Sequence, residues 1–206
     1  MDRKSIISGK DKDLDYQIAL LEKILQESPL ITKILQKTPE LNLPSWYLAA
    51  GCIFQTVWNA YYGQSCTYGI KDCDLVYFDP TDLSYEAEDA YIQQGKILFA
   101  KSPIEVEIRN EARVHLWYQD HFKEKSIAPY TSTEDAILTF PTTTASIGVT
   151  YDKTGKFVVN APYGLSDLFG MIVRPNKTQI TKKMYDNKIK RWRELWPELT
   201  IIPWRD

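Results

Sequence analysis

Cysteine is scarce: Cys52, Cys66 and Cys73 are the only three in 206 residues. There is no CxxC pair, and no cysteine or histidine stands at zinc-ligand spacing, so a disulfide-stapled secreted scaffold and a structural zinc site are both excluded. An odd number of thiols fits reduced cysteines and a cytoplasmic setting. No apolar run reaches membrane length, and the opening stretch MDRKSIISGKDKDLDY holds no apolar leader segment. Neither charge sign dominates, since 25 Lys and Arg against 27 Asp and Glu give a net charge of -2. That balance neither requires nor forbids a polyanionic partner. Internal repeats and low-complexity tracts are also missing. The expectation is a soluble cytoplasmic protein without a membrane partner, and a single domain over residues 1–206.

What is present is a succession of periodic segments. Leu14, Ile18, Leu21 and Leu25, then Leu30, Ile34 and Leu35, recur at helical spacing, with Pro29 opening the second of two short helices. Trp46 to Ala50 reads as a short strand or a helix start. Ile53, Val57 and Ala60 continue at helical spacing to Gly63. Ile70 to Phe78 reads as a strand, Ser84 caps a helix reaching about Gln94, and IEVEIRN alternates as a second strand. Residues 111–123 read as a helix, as do Ser132 to Phe140. Ile147 to Val149 and Phe157 to Val159 flank the turn sequence YDKTG. APYGLSDLFG reads as a shaped loop with a short helix, and Lys182 to Leu195 as a basic helix bearing tryptophan.

The chemistry-bearing signal is YGIKDCDLVYFD. Asp72 and Asp74 are two residues apart in a strand and therefore share a face, with Cys73 and Leu75 on the other. Two like charges held that close repel, and a bound divalent cation is the simplest reason to keep them. Their Cα atoms are roughly 7 Å apart, so the side chains can converge on one ion. A third acid would come from IEVEIRN, where Glu105 and Glu107 also share a face. Gly51 precedes a helical pattern whose first N–H groups can receive a phosphate. The plainer alternative makes Asp72 and Asp74 ordinary strand-end acids, one capping a turn and one paired to Lys71 or Arg109.

AAGCIFQTVWN, YGIKDCDLVYFDPTDLSYEAED, EVEIRNEARVHLWY, APYGLSDLFG and the RPN that follows run in that order from Ala49 to Asn176. Together they resemble the bacterial nucleotidyltransferase-like proteins once grouped as a domain of unknown function, within the polymerase beta-type nucleotidyltransferase superfamily. The resemblance implies an α+β fold: a small mixed sheet flanked by helices, with a helical N-terminal element, a core over 45–128 and a C-terminal extension over 129–206 packed on it. It implies metal-dependent transfer of a nucleoside monophosphate from a nucleoside triphosphate to an unidentified acceptor hydroxyl, with Mg2+ or Mn2+ as cofactor. Carried onto this chain, Asp72, Asp74 and Glu107 are the catalytic and metal-binding residues, with Glu107 favoured over Glu105 by its distance from Asn110. Gly51 and Cys52 fall at the phosphate-side pair, where Cys52 replaces the more usual Ser or Gly. Apart from the resemblance, the planar fork of Arg113 could reach a phosphate or the carboxylates.

Three other readings stand beside this one: a catalytically inactive nucleotide-binding or regulatory protein of the same fold, a nucleic-acid module using the basic C-terminal helix, and a phosphohydrolase. Nucleic acid as a partner is the less favoured option, because a basic helix with inward tryptophans is an ordinary amphipathic one. Arg113 could instead pair with Glu111 or Asp120. His115 reads as structural and His121 as a surface residue. Asp167, Tyr163, Phe169 and Arg174 form a candidate wall for acceptor or base.

Overall fold

A computed structural model describes residues 3–122 and 126–205. The helices are α1 (Arg3–Ser8), α2 (Leu14–Gln26), α3 (Pro29–Lys37), α4 (Gly51–Tyr62), α5 (Tyr85–Leu98), α6 (Val114–Phe122), α7 (Thr133–Leu138), α8 (Ser166–Phe169) and α9 (Lys182–Leu195). The strands are β1 (Tyr47–Ala49), β2 (Asp72–Tyr77), β3 (Glu105–Asn110), β4 (Gly148–Tyr151), β5 (Phe157–Asn160), β6 (Ile172–Val173) and β7 (Thr200–Ile201). Most helix starts are set by a hydroxyl or carboxylate that accepts an otherwise orphaned backbone N–H. Asp13 does this for α2, Ser28 for α3, Ser84 for α5, Ser132 for α7 and Thr181 for α9. Pro29 stands at the first turn of α3, where its missing N–H costs nothing.

Two expected boundaries move. The apolar residues 97 and 98 close α5 rather than forming a separate run, so that helix passes Gln94. Residues 111–113 form a 3-10 turn before α6, and Lys123, the expected end of that helix, lies outside the described residues. Among the described residues no helix is long and apolar enough to cross a membrane.

The main sheet is five-stranded and mixed, in the order β3-β2-β1-β4-β5. β1 pairs antiparallel with β2 and β4, whereas β2 and β3 run parallel, with α5 as the crossover between them. The pleat sends Leu48, Cys73, Leu75, Tyr77 and Ile108 into the large core beneath α2, α3 and α4. The opposite face carries Tyr47, Ala49 and Val76, which pack with Ile137 of α7 in a smaller cluster. Asp72, Asp74, Glu105, Glu107 and Arg109 lie on that second face.

α9 is fixed to the core by aromatics. Trp192 meets Phe54 and Trp58 of α4 at ring-centroid distances of 5.2 and 5.7 Å, and Trp196 meets Trp58 at 5.2 Å. Edge-to-face pairs of this kind add about 0.5–1.5 kcal/mol each beyond their buried area. The Trp196 indole N–H also donates to Asn59 Oδ1 at 3.0 Å. Both tryptophans are buried, which removes them as stacking platforms for nucleic-acid bases.

The turn from β1 into α4 differs from the expectation in one respect. Gly51 has ordinary helical backbone, while the residue before it, Ala50, adopts φ 52° and ψ -120°. For a residue with a Cβ that conformation costs on the order of 1–3 kcal/mol. Ala50→Gly is therefore expected to raise unfolding stability by about 1 kcal/mol, after glycine's own entropy is subtracted. An unchanged or lowered midpoint in urea denaturation would show that Ala50 carries no strain.

Candidate functional site

The parallel register of β2 and β3 sets Asp72 beside Glu105 and Asp74 beside Glu107. On its other side Asp74 is paired with Ala49, the last residue of β1. The turn that starts α4 thus begins next to Asp74, and the first-turn N–H groups of Gly51 and Cys52 open on the same corner. Ala50 ties this turn down: its N–H donates to the Ile147 carbonyl at 2.9 Å, and its carbonyl accepts from Ile53 and Phe54.

Asp74 is only partly exposed, and its pKa is pushed up to about 7 by desolvation, then by the charge of Asp72, then by that of Glu107; Lys188 and Arg109 pull the other way. Neither Asp72 nor Asp74 forms an ion pair among the described residues, so pairing to Lys71 or Arg109 does not occur. Arg109 instead pairs with Glu107 at 3.2 Å and stacks over Trp117 at 5.2 Å. Among the described residues no three Asp, Glu, Cys or His side chains stand as a preformed metal cage.

Two residues join this neighbourhood that the sequence reading did not single out. Glu111 follows β3 on the 3-10 turn, is 5% exposed, and has its pKa pushed up to about 8 by burial and by Asp74. The signal was available: Glu105, Glu107, Arg109 and Glu111 are spaced by two, and the strand's alternation simply continues one residue past β3. Lys188 of α9 is exposed; desolvation lowers its pKa, while Asp74 and Asp72 act to raise it. Nothing in the sequence joins residue 188 to residue 74, because only the tryptophan packing of α9 does so.

Glu111 makes stability depend on pH. Its folded pKa lies above the ordinary carboxylate value of 4.5, so the folded chain keeps a proton that the unfolded chain releases. Stability is therefore fullest below the unfolded value and falls as pH rises toward 8, by up to a few kcal/mol for a shift of this size. Glu111→Gln is expected to flatten that fall. Melting curves of both proteins at about pH 5 and about pH 8.5 decide it, and parallel curves would contradict it.

The side chains of the other expected site residues are largely engaged within the fold. Arg113 is not brought to the carboxylates, nor to Glu111 or Asp120. It is buried in an ion pair with Glu88, and its Nε donates to the Leu83 carbonyl at 2.9 Å. Asn110 completes this latch: its N–H donates to Glu88 at 2.8 Å, and its side-chain amide bonds the backbone of Asp79. The Cys52 thiol is buried against the Ala49 carbonyl and Cys73, leaving only its backbone N–H toward the corner. Asp167 accepts from Thr143 at 2.7 Å and pairs with Arg174 at 2.9 Å, while Phe169 is fully buried in the core. Tyr163 stays exposed, with its hydroxyl on the Leu138 carbonyl. His121 lies on the surface beside Trp117 and Phe122, whereas the buried Nδ1 of His115 has no hydrogen-bond partner among the described residues.

Comparison with known proteins places these features in context. A protein family described as nucleotidyltransferase matches residues 36–201. A solved structure, described as an NMR structure that "reveals a CCA-adding enzyme head domain", superposes with a TM-score of 0.70 at 27% identity. That alignment covers 89% of this chain and 96% of the other. No curated protein matches the chain.

Proposed function

This chain belongs to the nucleotidyltransferase family, and from that premise we propose that it transfers a nucleoside monophosphate from a nucleoside triphosphate to an acceptor hydroxyl, with Asp72, Asp74 and Glu107 as the acidic centre. The observation that carries this reading is the β2–β3 register, which sets Asp74 between Glu107 and the turn that opens α4. Glu107 is preferred to Glu105 because it is the glutamate whose charge acts on Asp74.

The donor set suits a hard divalent cation. It offers carboxylate oxygens alone, and the mutual repulsion that raises Asp74 is the kind that a cation relieves. Asp72, Asp74 and Glu107 would hold Mg2+ or Mn2+, which supplies charge neutralisation on the phosphates when bound. The protein's own part is positional. The N–H groups of Gly51 and Cys52, at the positive end of α4, receive phosphate oxygens. Asp74 or Glu107 takes the acceptor's proton. The acceptor oxygen then forms a bond to the α-phosphorus as the bond to the bridging oxygen breaks, and pyrophosphate leaves with the electron pair.

The test is magnesium-dependent pyrophosphate release from the four nucleoside triphosphates, supplied with small-RNA and metabolite fractions of a cell extract as acceptor sources. Release that needs both metal and an extract fraction is expected. Calorimetric binding of nucleotide without release from any fraction would favour the inactive nucleotide-binding reading, and phosphate release with water alone would favour a phosphohydrolase.

A further inference from the structure

We propose that α9 completes the nucleotide site: Lys188 and Arg191, one turn apart on it, seat the outer phosphates of the donor and the pyrophosphate that leaves. This rests on the nucleotidyltransferase reading and adds residues from outside the strands that carry the acids.

The placement of α9 carries the argument. Its tryptophans lock it to α4, the helix whose first turn opens beside Asp74. It is also clamped to the segment entering β2. Arg191 donates to the Gly69 carbonyl, three residues before Asp72. Gly69 has φ +68°, and a Cβ built there would lie 2.6 Å from the Trp196 ring, so this approach requires glycine. Residues three apart on a helix share a face, so Lys188 points the same way as Arg191.

The charges agree with that placement. Asp74, Asp72, Arg191 and Lys71 are the groups acting on Lys188, and Asp72 acts on Arg191. Among the described residues Lys188 has no ion pair or side-chain hydrogen bond, so its partly desolvated ammonium is uncommitted. Arg191 spends one donor on Gly69 and has more in its planar fork. A polyphosphate entering a corner lined by carboxylates would meet like charge, and cations beside those carboxylates offset the repulsion. Arg193 and Lys190 are exposed on the same helix, and neither is among the charges that act on Asp74.

The experiment is calorimetric titration of the full chain with inorganic tripolyphosphate in the presence of Mg2+, at low salt. Wild type is expected to bind. Lys188→Ala should weaken binding about 10-fold or more, the loss expected for one charge-assisted hydrogen bond. Lys188→Arg should recover most of it, and Arg193→Ala should leave it unchanged. Lys188 is a surface position, so Lys188→Ala should keep the wild-type circular dichroism spectrum; Arg191→Lys, which keeps the charge but loses the fork, should also weaken binding. If Lys188→Ala binds like wild type, or if Arg193→Ala weakens binding equally, the inference is overturned even where magnesium nucleotide still binds through Asp74. If wild type binds neither tripolyphosphate nor magnesium nucleotide, the nucleotidyltransferase reading falls with it.

Discussion

Asp74→Asn should abolish nucleotidyl transfer while leaving a folded protein. Asp74 is the register partner of Glu107 on one side and of Ala49, which leads into α4, on the other. Losing it removes one proposed metal ligand and one candidate base together, a loss on the order of 10²–10³-fold or more in kcat. Folding should not suffer. The wild-type carboxylate is already raised to about pH 7 by desolvation and by repulsion from Asp72 and Glu107, and asparagine relieves both. Its folded pKa exceeds the unfolded one, so the penalty from Asp74 grows as pH rises from the ordinary carboxylate range to about 7 and is complete above that. The variant should therefore melt no lower than wild type above pH 7 in the absence of metal. Full pyrophosphate release by Asp74→Asn under excess magnesium would remove Asp74 from the mechanism.

Arg113→Ala should act the other way, on the fold rather than the chemistry. Glu88 is 4% exposed, and its carboxylate faces the Arg113 guanidinium and the Asn110 N–H. Truncating Arg113 leaves that carboxylate buried with no cationic partner, which costs roughly 3–5 kcal/mol. Against a total of about 5–15 kcal/mol, this is a severe loss. The melting temperature should fall by about 10 °C for a chain of this length. Replacing both partners, as in Glu88→Leu with Arg113→Met, should recover much of the stability, because no unpaired charge remains. A loss below about 1 kcal/mol for Arg113→Ala would mean that the latch contributes little. The double replacement also separates roles: a phosphate-binding Arg113 would lose nucleotide affinity there, whereas a latch would not.

The two outcomes reflect what each kind of sequence signal can convey. Asp72, Asp74, Glu105 and Glu107 were legible because a strand's two-residue period fixes which side chains share a face, whatever the strand pairs with. Ser84 was legible as a helix cap and Pro29 as a helix opener because both signals are local. Glu111 was passed over because the residues after Asn110 also fit a helix, although the strand's alternation runs on to it. Gly51 drew attention as the flexible residue of the β1–α4 turn, yet the unusual backbone sits on Ala50, and alanine does not advertise a positive φ. Arg113 stood close to Glu107 in sequence, and the sharp turn after Asn110 sends it to α5 instead. Lys188 was the least accessible to sequence reasoning: its helix and its inward tryptophans were evident, but the object against which they pack was not. Local periodicity and capping were thus readable except where two local patterns competed, as at Glu111, or where the residue type gave no sign, as at Ala50; placements made by packing between distant elements were not.

The central claim is that Asp72, Asp74 and Glu107 jointly bind the metal that accompanies a nucleoside triphosphate. A crystal structure with Mn2+ and a non-hydrolysable nucleoside triphosphate tests it most directly. The prediction is Mn2+ at about 2.1 Å from carboxylate oxygens of all three residues, with the triphosphate at the start of α4. Mn2+ bound at other residues, or a nucleotide seated away from this corner, would contradict it.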